Sequence, residues 1–255
     1  WVVGEVNSKK GDAARESIIT GNLYKQLSSE TARSLLSRHA YYLRHYAPGN
    51  QRSRSTGVYG MLAKRFPKEY PLAVDWLAAA TDYGPAEAAG EAARHLMTLQ
   101  AGSASSDTFR RLMAAADVNK SADLARAAHT WIVGVEKAYG LAYSYAYQIG
   151  DTLKKYKLDD LAVAYWRSHV GVERNQSDSF SCVGRVLGTL PEAQKPVFLK
   201  ELINHESDFR GNYASQLANW YFRQEKPNLD EWEKTVRASR TRQDARAFRI
   251  WGFDE

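Results

Sequence analysis

Arginine, histidine and tyrosine alternate over one short stretch of this 255-residue chain, and the mixture could do chemistry. Arg38, Arg44 and His45 interleave with Tyr41, Tyr42 and Tyr46. Arg52 and Arg54 follow in a Ser-rich segment that reads as a flexible loop, and Lys64 and Arg65 close the block. A guanidinium offers a planar fork of donors to carboxylate or phosphate, and a tyrosine ring offers a stacking face. Together they suit an anionic ligand: phosphate, nucleic acid, an acidic polysaccharide or an acidic peptide. No Asp or Glu stands between Glu30 and Glu69, so nothing inside the block neutralises it. The acids that follow (Asp75, Asp82, Glu87, Glu91, Asp107, Asp117, Asp123) could do so from an adjacent element. Failing a ligand, such a charge run is a solvated face. The net charge is +6, and the C-terminus is basic again through Arg237, Arg240, Arg242, Arg246 and Arg249. An uneven field of this kind steers anionic partners and is silent about fold.

A second set of aromatic residues offers ligand platforms. Tyr143, Tyr145 and Tyr147 stand two apart on a predicted helix and cannot share a face, so one should line a groove while another packs inside. Trp220 and Tyr221 form a similar pair. Most such aromatics are expected to be packing between helices. Catalytic chemistry is harder to assemble. Phosphate-loop, zinc-protease, serine-hydrolase and dinucleotide fingerprints are all missing from the sequence. Cys182, the single cysteine, excludes an internal disulfide, sits among apolar neighbours and reads as a buried structural residue. His39, His45, His95, His129, His169 and His205 show no metal-ligand spacing, and they read as solvated or core-edge residues. No cofactor, metal or catalytic residue is assigned.

The segment Leu202-Ile-Asn-His-Glu206-Ser207-Asp-Phe209 resembles the Glu-Ser motif of lytic transglycosylases, in which one glutamate is the general acid. The Gly-Leu-Met-Gln segment of that family does not follow, and the chain after Glu206 is too short for its cleft. Hydrolysis of peptidoglycan is therefore not expected.

These residues must be held by helices. Positions 35, 36, 39, 42, 43 and 46 recur at helical spacing, after a Ser28 or Ser29 cap and before Pro48-Gly49. Further helices are predicted over 58–66, from Pro71 to about 82, and over 86–99. Asp107 should cap the next, and Ser121 or Asp123 should open one that runs to Gly140. Others follow over 143–157, 159–170, 177–187, 192–205, 213–223 and 229–248. No alternating strand pattern or hairpin turn interrupts them. Short turns between helices of this length imply antiparallel neighbours. No apolar stretch is long enough to span a membrane. The chain opens on Trp1-Val2-Val3-Gly4 without Met or a signal-peptide pattern, which suggests a processed or excised form.

Gly60 precedes Trp76 by sixteen residues, and Gly150 precedes Trp166 by the same interval. In this the chain resembles the tetratricopeptide repeat, where a small residue on one helix admits an aromatic from the next. The run from Ala73 through Trp76, Ala79, Ala80 and Gly84 to Ala86 and Ala88 is closer to a Sel1-like repeat, although its inter-helix loop is shorter than that family's. The resemblance implies an all-α solenoid of antiparallel helix pairs with a right-handed superhelix. It would form a single helical-repeat domain over 1–255, with an irregular segment at 1–27 and a sub-boundary near 101–106. It further implies a non-catalytic scaffold that holds a partner protein or peptide in its concave groove, or an acidic ligand on its basic surface. A nucleic-acid-binding helical-repeat protein, or the repeat region of a larger enzyme, is the alternative. Bacterial Sel1-like proteins point toward the periplasm or cell envelope.

Overall fold

A computed structural model describes residues 17, 21–101, 105–140, 145–170, 176–203, 230 and 234. Among the described residues there are ten α-helices, three short 3-10 turns and no strand, as the periodicity predicts. The helices are α1 (Ser29–His45), α2 (Arg54–Arg65), α3 (Tyr70–Tyr83), α4 (Ala86–Met97), α5 (Ser106–Val118), α6 (Ala122–Tyr139), α7 (Ala146–Lys155), α8 (Asp159–Ser168), α9 (Gln176–Thr189) and α10 (Lys195–Ile203). Among the described residues, no helix is long and apolar enough to cross a membrane. The predicted helices over 213–223 and 229–248 lie outside the described residues, apart from Asp230 and Lys234, which are helical.

Most boundaries follow from local chemistry. The hydroxyl oxygen of Ser28 accepts from the Thr31 amide at 3.3 Å and opens α1, and the Ser121 oxygen does the same for Leu124 at 3.1 Å and opens α6. A proline in its first turn suits α3, where no helical acceptor is lost. Gly140 ends α6 at φ 92°, a conformation that a side chain would strain. Three boundaries differ from expectation. Ser105, not Asp107, caps α5. Helix α2 begins a full turn early, at Arg54, so the expected flexible loop is instead a 3-10 turn (Gly49–Gln51) leading into a helix. Ser55 and Thr56 in its first turn are buried and satisfied: the Ser55 hydroxyl donates to Arg52 O at 2.6 Å and that of Thr56 to Ala79 O at 3.1 Å. Tyr145 has φ 70° and lies before α7, so Tyr145 and Tyr147 do not share a helix.

Two compact units divide the chain. The first spans residues 1–142 with 155–158; the second spans 143–154 with 159–255. The expected sub-boundary near 101–106 falls within the first. In that unit each of α1 to α5 packs on its successor, and α3 also meets α5 while α4 meets α6. Its core is built from Leu35, Leu36, Leu43, Leu62, Leu77, Leu96, Phe109, Leu112 and Ile132 with alanines between them. In the second unit α8 packs on α9. Ile149, Leu153, Trp166, Cys182, Val183 and Val186 are its buried centre. Cys182 is thus the buried residue that its neighbours suggested.

The two Gly–Trp pairs are both contacts. Trp76 and Trp166 are buried. A Cβ added at Gly60 would stand 3.2 Å from Cε2 and Nε1 of Trp76, and one added at Gly150 would overlap the Trp166 indole. The Trp166 indole N–H donates to Tyr147 O at 3.1 Å, so the ring is held by a polar as well as an apolar contact.

The two glycines should therefore respond differently to substitution. Gly150→Ala should destabilise by about 1–3 kcal/mol through overpacking. Gly60→Ala should be nearly neutral, because the gain in helix propensity offsets a small shift of the indole. Trp76→Ala and Trp166→Ala should each cost about 3–5 kcal/mol. Urea denaturation of the four variants tests this order, and equal effects at the two glycines would refute it.

Candidate functional site

The C-terminal turn of α1 carries the most distinctive surface of the first unit. Four consecutive-turn side chains, Tyr41, Tyr42, His45 and Tyr46, gather there because 41, 42, 45 and 46 share one helical face. The Tyr41 and His45 rings are 4.4 Å apart, Tyr41 and Tyr46 are 6.0 Å apart, and Tyr42 stacks with Tyr46 at 6.3 Å. Tyr41 is 52% and Tyr46 67% exposed, which is far from the packing role expected of most aromatics here. The adjacent Tyr46 hydroxyl raises the Tyr41 phenol above its ordinary pKa.

The basic block expected around this cluster is largely spoken for. Arg44 Nη2 donates to Asp82 Oδ2 at 3.0 Å, and Lys64 pairs with Glu91 at 2.9 Å. Arg33, just before the block, pairs with Glu69 at 2.6 Å. Acids from α3, α4 and the turn before α3 thus neutralise cations of α1 and α2, as the charge pattern after Glu69 allowed. Lys64 also lies over the Trp76 ring, 5.7 Å from its centroid. Arg65 Nη2 donates to Leu27 O at 3.1 Å. Arg38 and Arg54 are exposed, on α1 and at the first position of α2. Arg52 is held by neutral acceptors: its Nε donates to Ala47 O at 3.2 Å and its Nη1 to the Tyr83 hydroxyl at 3.4 Å. Its guanidinium carbon stands 5.8 Å from the centre of the Tyr83 ring.

Asp82 is the centre of a relay that spacing could not reveal. While Oδ2 meets Arg44, Oδ1 accepts from Arg111 Nη1 at 2.6 Å. The same Nη1 reaches Thr81 Oγ1 at 3.0 Å and Ala78 O at 3.2 Å, and Arg111 Nε donates to Asp107 at 2.7 Å. Burial pushes the Asp107 carboxyl up, but Arg111 and Arg110 outweigh it and hold it below the usual carboxylate range. Residues from α1, α3 and α5, separated by 38 and 29 positions, are joined through one carboxylate.

Tyr59 was not singled out by sequence, and Asp75 was named only as one of the acids that could neutralise the block. Burial, then the charge of Asp75, push the Tyr59 phenol up to about 12, with Arg44 opposing. Burial likewise raises Asp75 above the ordinary carboxylate value, and Arg44 and His45 pull it back only in part. A lone acid inside the apolar run from Leu72 to Ala80 was the signal available for Asp75.

In the second unit Tyr147 is half-buried under Arg185, whose guanidinium carbon is 4.6 Å from the ring centre. Arg185 in turn grips Asp151 with two 2.6 Å hydrogen bonds, so Tyr147 is part of a packed ion-pair assembly rather than an open platform. Tyr145 is 37% exposed. Trp220, Tyr221 and Glu206 lie outside the described residues. His39 and His169 are fully buried rather than at the core edge, and His169 Nδ1 lies 2.9 Å from Tyr165 O. Among the described residues no His, Cys, Asp and Glu group could hold a metal ion.

Asp82→Asn should cost about 2–3 kcal/mol, since it removes the charge between two guanidiniums with side chains only 14% and 12% exposed and replaces one accepting oxygen with an amide donor. Glu91→Gln, whose ion pair is 63% and 53% exposed, should change stability by less than about 1 kcal/mol. Denaturant midpoints compare the two. Asp75 gives a pH test. Its folded pKa lies above the unfolded one, so its favourable contribution is complete below the unfolded value and is lost as pH rises through the folded one. Asp75→Asn should therefore raise Tm at neutral pH, with the gain shrinking to nothing in acid; a loss of Tm at pH 7 would contradict the burial argument.

Comparison with protein-family models, with characterised proteins and with solved structures finds no match to this chain.

Proposed function

We propose that this chain is a non-catalytic helical scaffold, built from tetratricopeptide- or Sel1-like hairpins, that docks a partner protein or peptide. The observation that carries the reading is the exposed cluster of Tyr41, Tyr42, His45 and Tyr46 at the end of α1. Tyrosine is enriched where proteins recognise one another, because it supplies rigid contact area with a polar tip. The scaffold part draws on packing: α3 meets α5 and α4 meets α6, as consecutive hairpins do when they stack. The two indoles seated on glycines, Trp76 on Gly60 and Trp166 on Gly150, have the relation that such repeats use. Binding of a long polyanion has less support, because Glu69, Asp82 and Glu91 occupy Arg33, Arg44 and Lys64.

A peptide-display selection against the whole chain tests this reading. Enriched peptides should shift the backbone amide resonances of residues 41–46, and the double variant Tyr41→Ala, Tyr46→Ala should bind them at least tenfold more weakly. Thermal stability should hold, since both rings are exposed. A selection without enrichment, or peptides that bind the double variant as well as the parent, would sink it.

A further inference from the structure

Within that reading, we infer that Arg52 is the anion anchor of the α1 site, and that the segment it takes is an acidic peptide presenting a carboxylate next to an aromatic or apolar side chain. The inference rests on how Arg52 is held. Arg33, Arg44, Lys64, Arg110 and Arg111 each meet a carboxylate. Arg52 does not. Among the described residues its hydrogen bonds go to Ala47 O and the Tyr83 hydroxyl, both uncharged, and Nη2 makes none. The side chain is half-buried, so its orientation is set before any ligand arrives.

The neighbouring acid cannot take its place. Asp82 precedes Tyr83, and its two oxygens are already engaged by Arg44 and Arg111. Those two arginines thereby hold the carboxylate that adjoins Tyr83, one of the two groups that bind Arg52. A partly desolvated guanidinium with neutral acceptors retains its full charge and spare donors, and a carboxylate is the partner that matches both.

The location sets the rest of the ligand. The Nε hydrogen bond ties Arg52 to the carbonyl of Ala47, one residue beyond Tyr46. The guanidinium is thereby tied to the backbone one residue beyond the aromatic cluster, 5.8 Å from the centre of the Tyr83 ring. A carboxylate bound at Arg52 would bring the adjoining residue of the same peptide toward Tyr46. A nucleic acid would need several phosphate contacts to bind well, and the ion-paired cations nearby are not available for them.

The test uses the full chain with two pools of capped peptides. Members of one carry one or two Asp or Glu beside an aromatic residue; members of the other have Asn and Gln in their place. Affinity is read by fluorescence anisotropy, and the Arg52 Nε–H resonance is followed in parallel. The acidic pool should bind at least tenfold more tightly than the amide pool and shift that resonance. Arg52→Gln should abolish the preference, Arg52→Lys should keep part of it, and thermal melts should show both folded at the assay temperature. The salt dependence should correspond to about one released counterion. Equal binding of the two pools, or an acidic preference that survives Arg52→Gln, overturns the assignment to Arg52 and leaves aromatic docking intact. Binding by neither pool overturns both. Tighter binding of a thymidine dodecanucleotide, with a salt slope of several, overturns the peptide assignment in favour of nucleic acid.

Discussion

An indole pressed against a bare Cα is the constraint on which both units depend. Trp76 on Gly60 and Trp166 on Gly150 fill the space that glycine leaves between neighbouring helices. Any side chain at the glycine would separate the helices or displace the ring. The close approach then decides what else can touch. With α2 tight on α3, Tyr59 comes under the influence of Asp75 and Arg44, and Thr56 reaches the carbonyl of Ala79. The Thr56 hydrogen bond would not survive a looser pairing, since hydrogen bonds weaken steeply with distance and misalignment.

Charge is arranged on top of this packing. The block from 31 to 68 is wholly without acids, yet the folded first unit brings Glu69, Asp82 and Glu91 to its arginines and lysine. Asp82 does most, because a single carboxylate with two oxygens can bridge α1 and α5 at once. Such a bridge in a partly dry setting orients helices more than it stabilises them, since desolvation offsets much of the attraction. Arg52, by contrast, is supported by neutral groups.

Function follows the same division. Tyr41 and Tyr46 at the end of α1 are exposed, while Leu36, Ala40 and Leu43 on the same helix take up the core. Tyr147, in the first turn of α7, is instead covered by Arg185 and serves packing. Aromatic content alone therefore does not distinguish a binding platform from an internal wedge. Position relative to the next helix does.

Helical periodicity, the serine caps, the prolines and Gly140 were enough to place most helices to within a turn, because these effects act over four residues or fewer. The equal Gly–Trp interval even indicated which side chains would meet, since a fixed turn length converts sequence spacing into distance. Where the sequence reading failed, the deciding partner was remote. Residues 54–57 look like loop, and become helix because Ser55 and Thr56 find backbone acceptors, one of them in α3. The basic block looked like one surface, and was divided by carboxylates up to 38 residues away. That Arg52 is held by neutral acceptors depends on the angles at which helices cross, and no local pattern encodes those angles. They are set only when the cores close, and so tertiary structure alone singles out Arg52.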